Sequence, residues 1–301
     1  MINMSKRLQS AMEYLMTYGW AILVIAVVLG VLYSLGVFSP SNFAPKAQPG
    51  SCQVFRPNGP GTNYDINLEG ICSSELPQYV AEFNGQTSYI NIANEPNFPS
   101  GNDPITMTGW MYISNYNRTS NYGYMFLGYG IAGNCGNHNY FSVRIHNNSG
   151  TPPYYAQTDE WCDAISNPTA ISNGAWYFIA ETYSTSIYTI YVGNGGSIAT
   201  ATENGTANIL TNPQFVISPN TDAAHLYGYI SNVQLYNSSL DASSITALYD
   251  EGIGGAPISI ENLIAWYPLN GNANDYSGNN NNGVPNDVQF TGTWQEGYTA
   301  P

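Results

Sequence analysis

Apolar positions recur every second residue through most of this chain, but at its start they run together. Residues Trp20–Phe38, "WAILVIAVVLGVLYSLGVF", contain no Asp, Glu, Lys or Arg. As a helix this run is roughly 28 Å long, near the thickness of a bilayer's hydrocarbon core. The apolar pattern extends back to Met12, and Glu13 is the last charged residue before Lys46. From Tyr79 onward the pattern changes. "YVAEF", "YINIA", "ITMTGWMYIS", "YFSVRIH", "WYFIAETY", "YTIYVG", "QFVIS", "YGYISNVQLY" and "LIAWYPL" are short runs rich in Val, Ile, Thr, Tyr and Trp. In one of them Phe141, Val143 and Ile145 share a face, with Ser142 and Arg144 opposite. Alternation of this kind predicts half-buried strands, and "NGQTS", "GNGGS" and "SPNTD" predict turns between them. "DASSITALYDEG" predicts one helix. Asp241 caps it, Ile245, Leu248 and Tyr249 share a face, and Gly252 stops it. Many short strands with one helix predict an all-β sandwich of two sheets.

The pattern divides the chain into an apolar head (1–38), a linker and neck (39–76) and a β domain (77–301). In the linker, "SPSNFAPKAQPG" carries Pro40, Pro45 and Pro49, so it cannot continue the helix and reads as an extended spacer. The neck holds Cys52 and Cys72 around "RPNGPGTNYDINLEG", with Asp65 and Glu69 expected in solvent.

Composition narrows the function. Charged residues are only 9% of 301, aromatic residues reach 14%, and the formal net charge is −14. Such a balance lacks the basic stripe that nucleic acid requires. Lys6 and Arg7 precede the apolar helix, which places the N-terminus in the cytoplasm and everything after Phe38 outside. Cys52, Cys72, Cys135 and Cys162 make an even count for an oxidising compartment. Three pairings are open to them, and the local one joins Cys52 to Cys72 and Cys135 to Cys162. No Cys-x-x-Cys motif or histidine cluster points to a metal; His138, His146 and His225 are scattered and read as surface or loop residues. Asn117, Asn147, Asn204 and Asn237 begin glycosylation sequons.

The head of the chain resembles a known family. Basic Lys6-Arg7 followed by "QSAMEYLMTYGWAIL" resembles the class III signal of type IV pilins in its archaeal form. The resemblance implies that a prepilin peptidase cuts between Leu8 and Gln9, removing a leader (1–8) and leaving the helix (9–38) as a membrane anchor and filament core. Glu13 would then be the fifth mature residue, where the family carries its glutamate. A carboxylate and the new Gln9 amine entering lipid together cost less than either alone. A pair formed between neighbouring subunits would also fix their register. A role for Glu13 as a complement to the helix dipole is the plainer alternative. An ordinary cleaved secretory signal and a plain uncleaved anchor are the other readings of this segment.

The β domain carries a second resemblance. "YVAEFNGQTSYINIA", "ITMTGWMYIS", "GAWYFIAETYSTSIYTIYVGNGG", "LYGYISNVQLYNSSLDASSITALYDEG" and "LIAWYPLNGNANDYSGNNNNG" resemble a laminin-G-like, concanavalin-A-like jelly roll. The last segment often opens such domains, and here it closes the chain. The fold class expected is therefore an N-terminal transmembrane helix followed by a jelly-roll sandwich. Related jelly rolls often bind structural Ca²⁺ near this segment. Asn270, Asn272, Asn274 and Asp275 supply oxygens there, and the resemblance adds Asn232 from "ISNVQLY"; an Asn-rich loop of local turns is the alternative.

Some proteins of this fold are glucanases, and glycoside hydrolysis needs two facing carboxylates. Asp159 and Glu160 are adjacent and would point apart in a strand, whereas Asp250 and Glu251 follow the helix. Neither pair makes a site, so no catalytic residue is assigned and no enzyme is expected. A lectin-like role would use rings and amides. Trp110, Trp176 and Trp266 lie in strand patterns, where core packing is their first expectation. The reading reached is a cell-surface pilin-like subunit with a lectin-like head for adhesion or glycan binding. An anchored lectin or structural protein that does not polymerise is the alternative, and an anchored glycosidase a third.

Overall fold

The computed structural model describes residues 20–30, 76–93, 96–115, 123–130, 139–146, 153–158, 165–219 and 224–301. The chain divides into two units, Met1–Lys46 and Ala47–Pro301. In the first, residues 20–30 form helix α1, and all of them are exposed. Trp20, Ile22, Leu23, Val24, Ile25, Val27, Val28 and Leu29 therefore surround the helix with uncovered apolar surface. Among the described residues no helix is long and apolar enough to cross a membrane. The rest of the expected span, 9–19 and 31–38, lies outside the described residues, as do the linker and neck up to residue 75.

In the second unit the described strands are β1 (Val80–Asn84), β2 (Tyr89–Ile92), β3 (Ile105–Ile113), β4 (Tyr124–Gly130), β5 (Tyr140–His146), β6 (Tyr154–Thr158), β7 (Ser166–Ile171), β8 (Trp176–Ser184), β9 (Ile187–Asn194), β10 (Ser197–Asn204), β11 (Phe215–Ile217), β12 (Ala224–His225), β13 (Tyr227–Tyr236), β14 (Leu263–Tyr267), β15 (Gly283–Asn286) and β16 (Gln289–Thr291). They form two sheets. Sheet A has the order β10-β9-β8-β3-β13-β1-β16, with β14 also paired to β13. Sheet B has the order β15-β2-β11-β4-β5-β6-β7, with the short β12 beside β4. Pairing is antiparallel except between β12 and β4. This is the two-sheet jelly roll that the alternating pattern predicts.

Alternation decides what lies between the sheets. Phe141, Val143 and Ile145 of β5 point inward as expected, with Leu127 and Tyr129 of β4 and Phe215 and Ile217 of β11. Met107, Met111 and Ile113 of β3 and Ile230, Val233 and Leu235 of β13 face them from sheet A. Near one edge Asn167 of β7 reaches across, its Nδ2 donating to the Ile190 and Ala199 carbonyls of sheet A.

A second core lies on the outer side of sheet A. Helix α2 (Ala242–Asp250) packs there through Ile245, Leu248 and Tyr249. Asp241 caps it, accepting the Ser244 N–H at 2.7 Å and the Ser243 hydroxyl at 2.8 Å, and these bonds hold its carboxyl below the ordinary range. Trp110 stacks on Tyr249 at 5.7 Å under the helix. The end of the chain covers the rest. Trp294 lies edge-on against Trp176 at 5.9 Å, and its indole N–H donates to the Pro77 carbonyl. Trp176 in turn donates to the Trp294 carbonyl at 3.0 Å. Tyr298 packs edge-on against both Trp110 and Trp294.

Trp294 thus ties the first described residues of the head to the last. Replacing it with Ala removes a buried indole and its bond to Pro77, so Trp294→Ala should cost about 3–5 kcal/mol in denaturant unfolding of the full chain. A change within about 0.5 kcal/mol would mean that the C-terminal segment is not part of the folded unit.

Candidate functional site

The residues expected to act at the head of the chain, Leu8, Gln9 and Glu13, lie outside the described residues. So do Cys52, Cys72, Cys135, Cys162, His138, Asn117, Asn147, Asp159 and Glu160. Asn204 ends β10 and Asn237 follows β13; both are exposed. Two histidines differ from expectation. His146 closes β5 and His225 lies in β12, and both are buried on the outer side of sheet B rather than in surface loops. Trp110, Trp176 and Trp266 are buried, as strand packing predicts.

The loop considered for calcium is built as a strand cap. β14 has β13 on one side only, so its other edge presents backbone groups that need partners. Asn279 Nδ2 donates to the Leu263 and Ile264 carbonyls at 3.1 and 3.0 Å, and Asn281 Nδ2 donates to Ile264 at 2.7 Å. Asp275, only 1% exposed, is the centre of this cap. Its Oδ1 accepts from the Trp266 and Ser277 N–H groups at 2.9 and 2.8 Å. Its Oδ2 accepts from the Ser277 hydroxyl at 2.8 Å and the Asn281 N–H at 2.9 Å.

The other candidate ligands point elsewhere. Asn272 accepts the Asn274 N–H and donates to the Tyr276 hydroxyl. Asn270 accepts the Tyr79 N–H at 2.8 Å. Asn232 belongs to a buried ladder on β13: its Oδ1 accepts from Trp266 Nε1 and Gln234 Nε2 at 2.8 and 3.0 Å, and its Nδ2 donates to the Gly255 carbonyl. Tyr236 extends the ladder by donating to Gln234 at 2.6 Å. Asp275, Asn272 and Asn232 are therefore each engaged in hydrogen bonds within the chain, Asp275 and Asn232 both accepting from Trp266. Among the described residues no three or more His, Cys, Asp or Glu are grouped to hold a metal ion.

A void of about 10 Å³ lies between the sheets beside Tyr129, Phe141 and Tyr183. It fits at most one water. Burial, with Asp103 nearby, raises the Tyr129 phenol well above its ordinary value, and its hydroxyl donates to the Pro99 carbonyl at 2.7 Å.

The outer side of sheet B is different in character. Cα register sets Val284, Asn91, Val216, Gly128 and Ser142 in one row across β15, β2, β11, β4 and β5. A second row sets Met125, Arg144, Gln157 and Ser166 across β4, β5, β6 and β7. Gln157 donates to the Ser166 hydroxyl at 2.6 Å, and Gln214 donates to Asn91. The Tyr89 ring stacks on His225 at 5.7 Å. Gly128 leaves room for Tyr140: a Cβ there would stand 2.3 Å from its hydroxyl. Amides, hydroxyls, rings and a guanidinium thus share a face, while the inner side of the same strands is apolar. Among the described residues these rows contain no Asp or Glu, so they hold no carboxylate pair for glycoside hydrolysis. Glu181 is buried between the sheets. The sequence had marked Ser142 and Arg144 as facing away from the core, but it gave no means of bringing Asn91, Gln157 and Gln214 beside them.

Comparisons place this architecture. A family profile described as the concanavalin A-like lectin/glucanases superfamily matches residues 84–246. A candidate carbohydrate-binding protein from Bacteroides ovatus aligns at 18% identity and a TM-score of 0.52, over 72% of this chain. This chain spans 60% of that protein's length. The SAP-like pentraxin of Limulus polyphemus aligns over 71% of this chain and 94% of its own, at 15% identity and a TM-score of 0.47. Domain 4 of the arabinanase AbnA from Geobacillus stearothermophilus, solved with arabinotriose, aligns over 59% and 84%, at 14% identity and 0.40. At 18% identity the Bacteroides alignment shows a shared fold. No curated protein sequence matches the chain.

Asp275 tests the reading of its loop. Asp275→Ala leaves four donors without their acceptor, and buried donors left unmet cost about 1–3 kcal/mol each. Thermal melting should fall sharply, by the same amount in excess calcium and in chelator. A loss that appears only in calcium would show the loop to be an ion site.

Proposed function

The chain belongs to the concanavalin A-like lectin/glucanases superfamily, and from that premise we propose that it is a cell-surface, type IV pilin-like subunit with a carbohydrate-binding head. The observation that carries the head's role is the outer side of sheet B, where the half-buried Asn91, Gln214 and Arg144 share one face with the half-buried Tyr89 ring, Ser142 and Gln157 being buried in the same rows. Hydroxyl-rich ligands are held by such groups, with rings covering their apolar faces. The head acts by binding.

Helix α1 supports the anchoring half of the proposal. A helix that is apolar all round is covered in its working state by lipid or by other helices. The charge-free run Trp20–Phe38, of which α1 is part, is long enough for either role. Prepilin peptidase cuts before Gln9, the helix stays in the membrane or enters a filament with other subunits, and the head stands outside the cell. Glu13 then pairs with the Gln9 amine of a neighbour.

Sequencing the N-terminus of the native protein tests the processing step, and Gln9 is the residue expected. An intact Met1 would overturn the pilin reading and favour a singly anchored surface protein. Glu13→Gln keeps the shape and removes the charge. It should be inserted and cut as the parent is, yet assemble poorly, because an unpaired buried amine costs about 3–5 kcal/mol. Filaments at parental yield would reduce Glu13 to a complement of the helix dipole.

A further inference from the structure

The outer side of sheet A is not closed across its full width. Helix α2 and the C-terminal segment cover the part built from Trp110, Trp176 and Phe178. Among the described residues the cover ends toward β1 and β16. There, Cα register sets Tyr229, Glu82 and Gln289 in one row across β13, β1 and β16. Tyr227 lies on the same side of β13, about 7 Å from Tyr229 along the strand.

These side chains are accessible and held in place. Tyr227 is 44% exposed, Gln289 is exposed, and Tyr229 and Glu82 are half-buried. Tyr229 stacks on Tyr112 with centroids 5.3 Å apart and planes 29° apart, and Trp176 lies behind at 6.3 Å. Burial and then the Glu82 carboxylate raise the Tyr229 phenol above its ordinary value, so it stays a neutral donor. Gly85 makes space for Tyr227, since a Cβ there would stand 2.8 Å from the tyrosine Cβ. The Glu82 carboxylate and the Gln289 amide are taken by no hydrogen bond among the described residues.

The chemistry of the row selects a ligand. Fixed rings offer flat apolar faces, and the acid and amide beside them accept and donate to hydroxyls. No cation lies in the row, and the whole chain carries a formal charge of −14. An anionic sugar or a phosphate would be repelled by Glu82, whereas a neutral polyol would not. We propose that Tyr227, Tyr229, Glu82 and Gln289 form a second binding site for a neutral pyranose chain, on the opposite side of the head from the sheet B face. The glycan lies across β13 and β1, with sugar rings against the tyrosines and hydroxyls donated to Glu82. A head with a site on each side can join two glycan strands.

Affinity electrophoresis of the purified full-length chain in detergent tests this, using native gels that contain soluble glucan, mannan, galactan or xylan. At least one should retard the parent. Tyr229→Ala and the exposed Tyr227→Ala should each weaken that retardation about tenfold or more, while Tyr229→Phe, which keeps the ring, should stay within about threefold of the parent. If the parent is retarded and both alanine variants are retarded equally, this second site is refuted while the lectin reading stands. Retardation of the parent by none of the polysaccharides would overturn both.

Discussion

β1 and β2 begin the head, and each finds an outer partner in the last strands of the chain. β16 closes on β1 in sheet A, and β15 closes on β2 in sheet B. β13 is long enough to hold β1 beside its first half and β14 beside its second. The sandwich is therefore complete only when the two ends of the head meet. Asp275 and the asparagines after β14 supply this closure with its hydrogen bonds, because their side chains satisfy a strand edge that has no further strand. Trp294 supplies its apolar part by filling the space between Trp176 and Pro77.

Closure has a consequence for function. The chain enters the head beside the residues that end it, so the outer side of sheet A holds the entering and ending segments together with helix α2. Its aromatic residues are used mainly for packing, and only the tyrosines toward β1 and β16 stay open. Helix α2 does not lie on sheet B, whose outer rows keep amides, hydroxyls and a guanidinium, with Ser142 and Gln157 buried and Asn91 and Arg144 half-buried. One sandwich thus has a structural side and a polar side.

Much of the β architecture was legible in the sequence because one face of each strand is apolar. β5 alternates cleanly, and β3, β8, β9 and β13 are predicted by their length and their content of Val, Ile, Thr, Tyr and Trp. β7, "SNPTAI", contains a proline and small polar residues, so it resembles a turn; its place is fixed by Asn167 reaching the other sheet. β10, "SIATATEN", lies mostly exposed at a sheet edge, where burial imposes no strong pattern. β4, "YMFLGYG", is buried throughout and so shows no alternation. The site was harder to read. Oxygen-rich "NGNANDYSGNNNNG" has the composition of a cation loop, and only the backbone around it shows that its oxygens and amides serve β14. Tyr229, Glu82 and Gln289 come from three distant segments, and only strand register brings them together.

The dependence of the head on its last strands can be measured by ending the chain at Gly255. The shortened chain keeps helix α2 and the whole region matched by the family profile, residues 84–246. It lacks β14, β15, β16 and Trp294. If the two ends must meet, it should show no cooperative thermal transition and little near-ultraviolet aromatic signal. A shortened chain that melts cooperatively within about 5 °C of the parent would contradict the account.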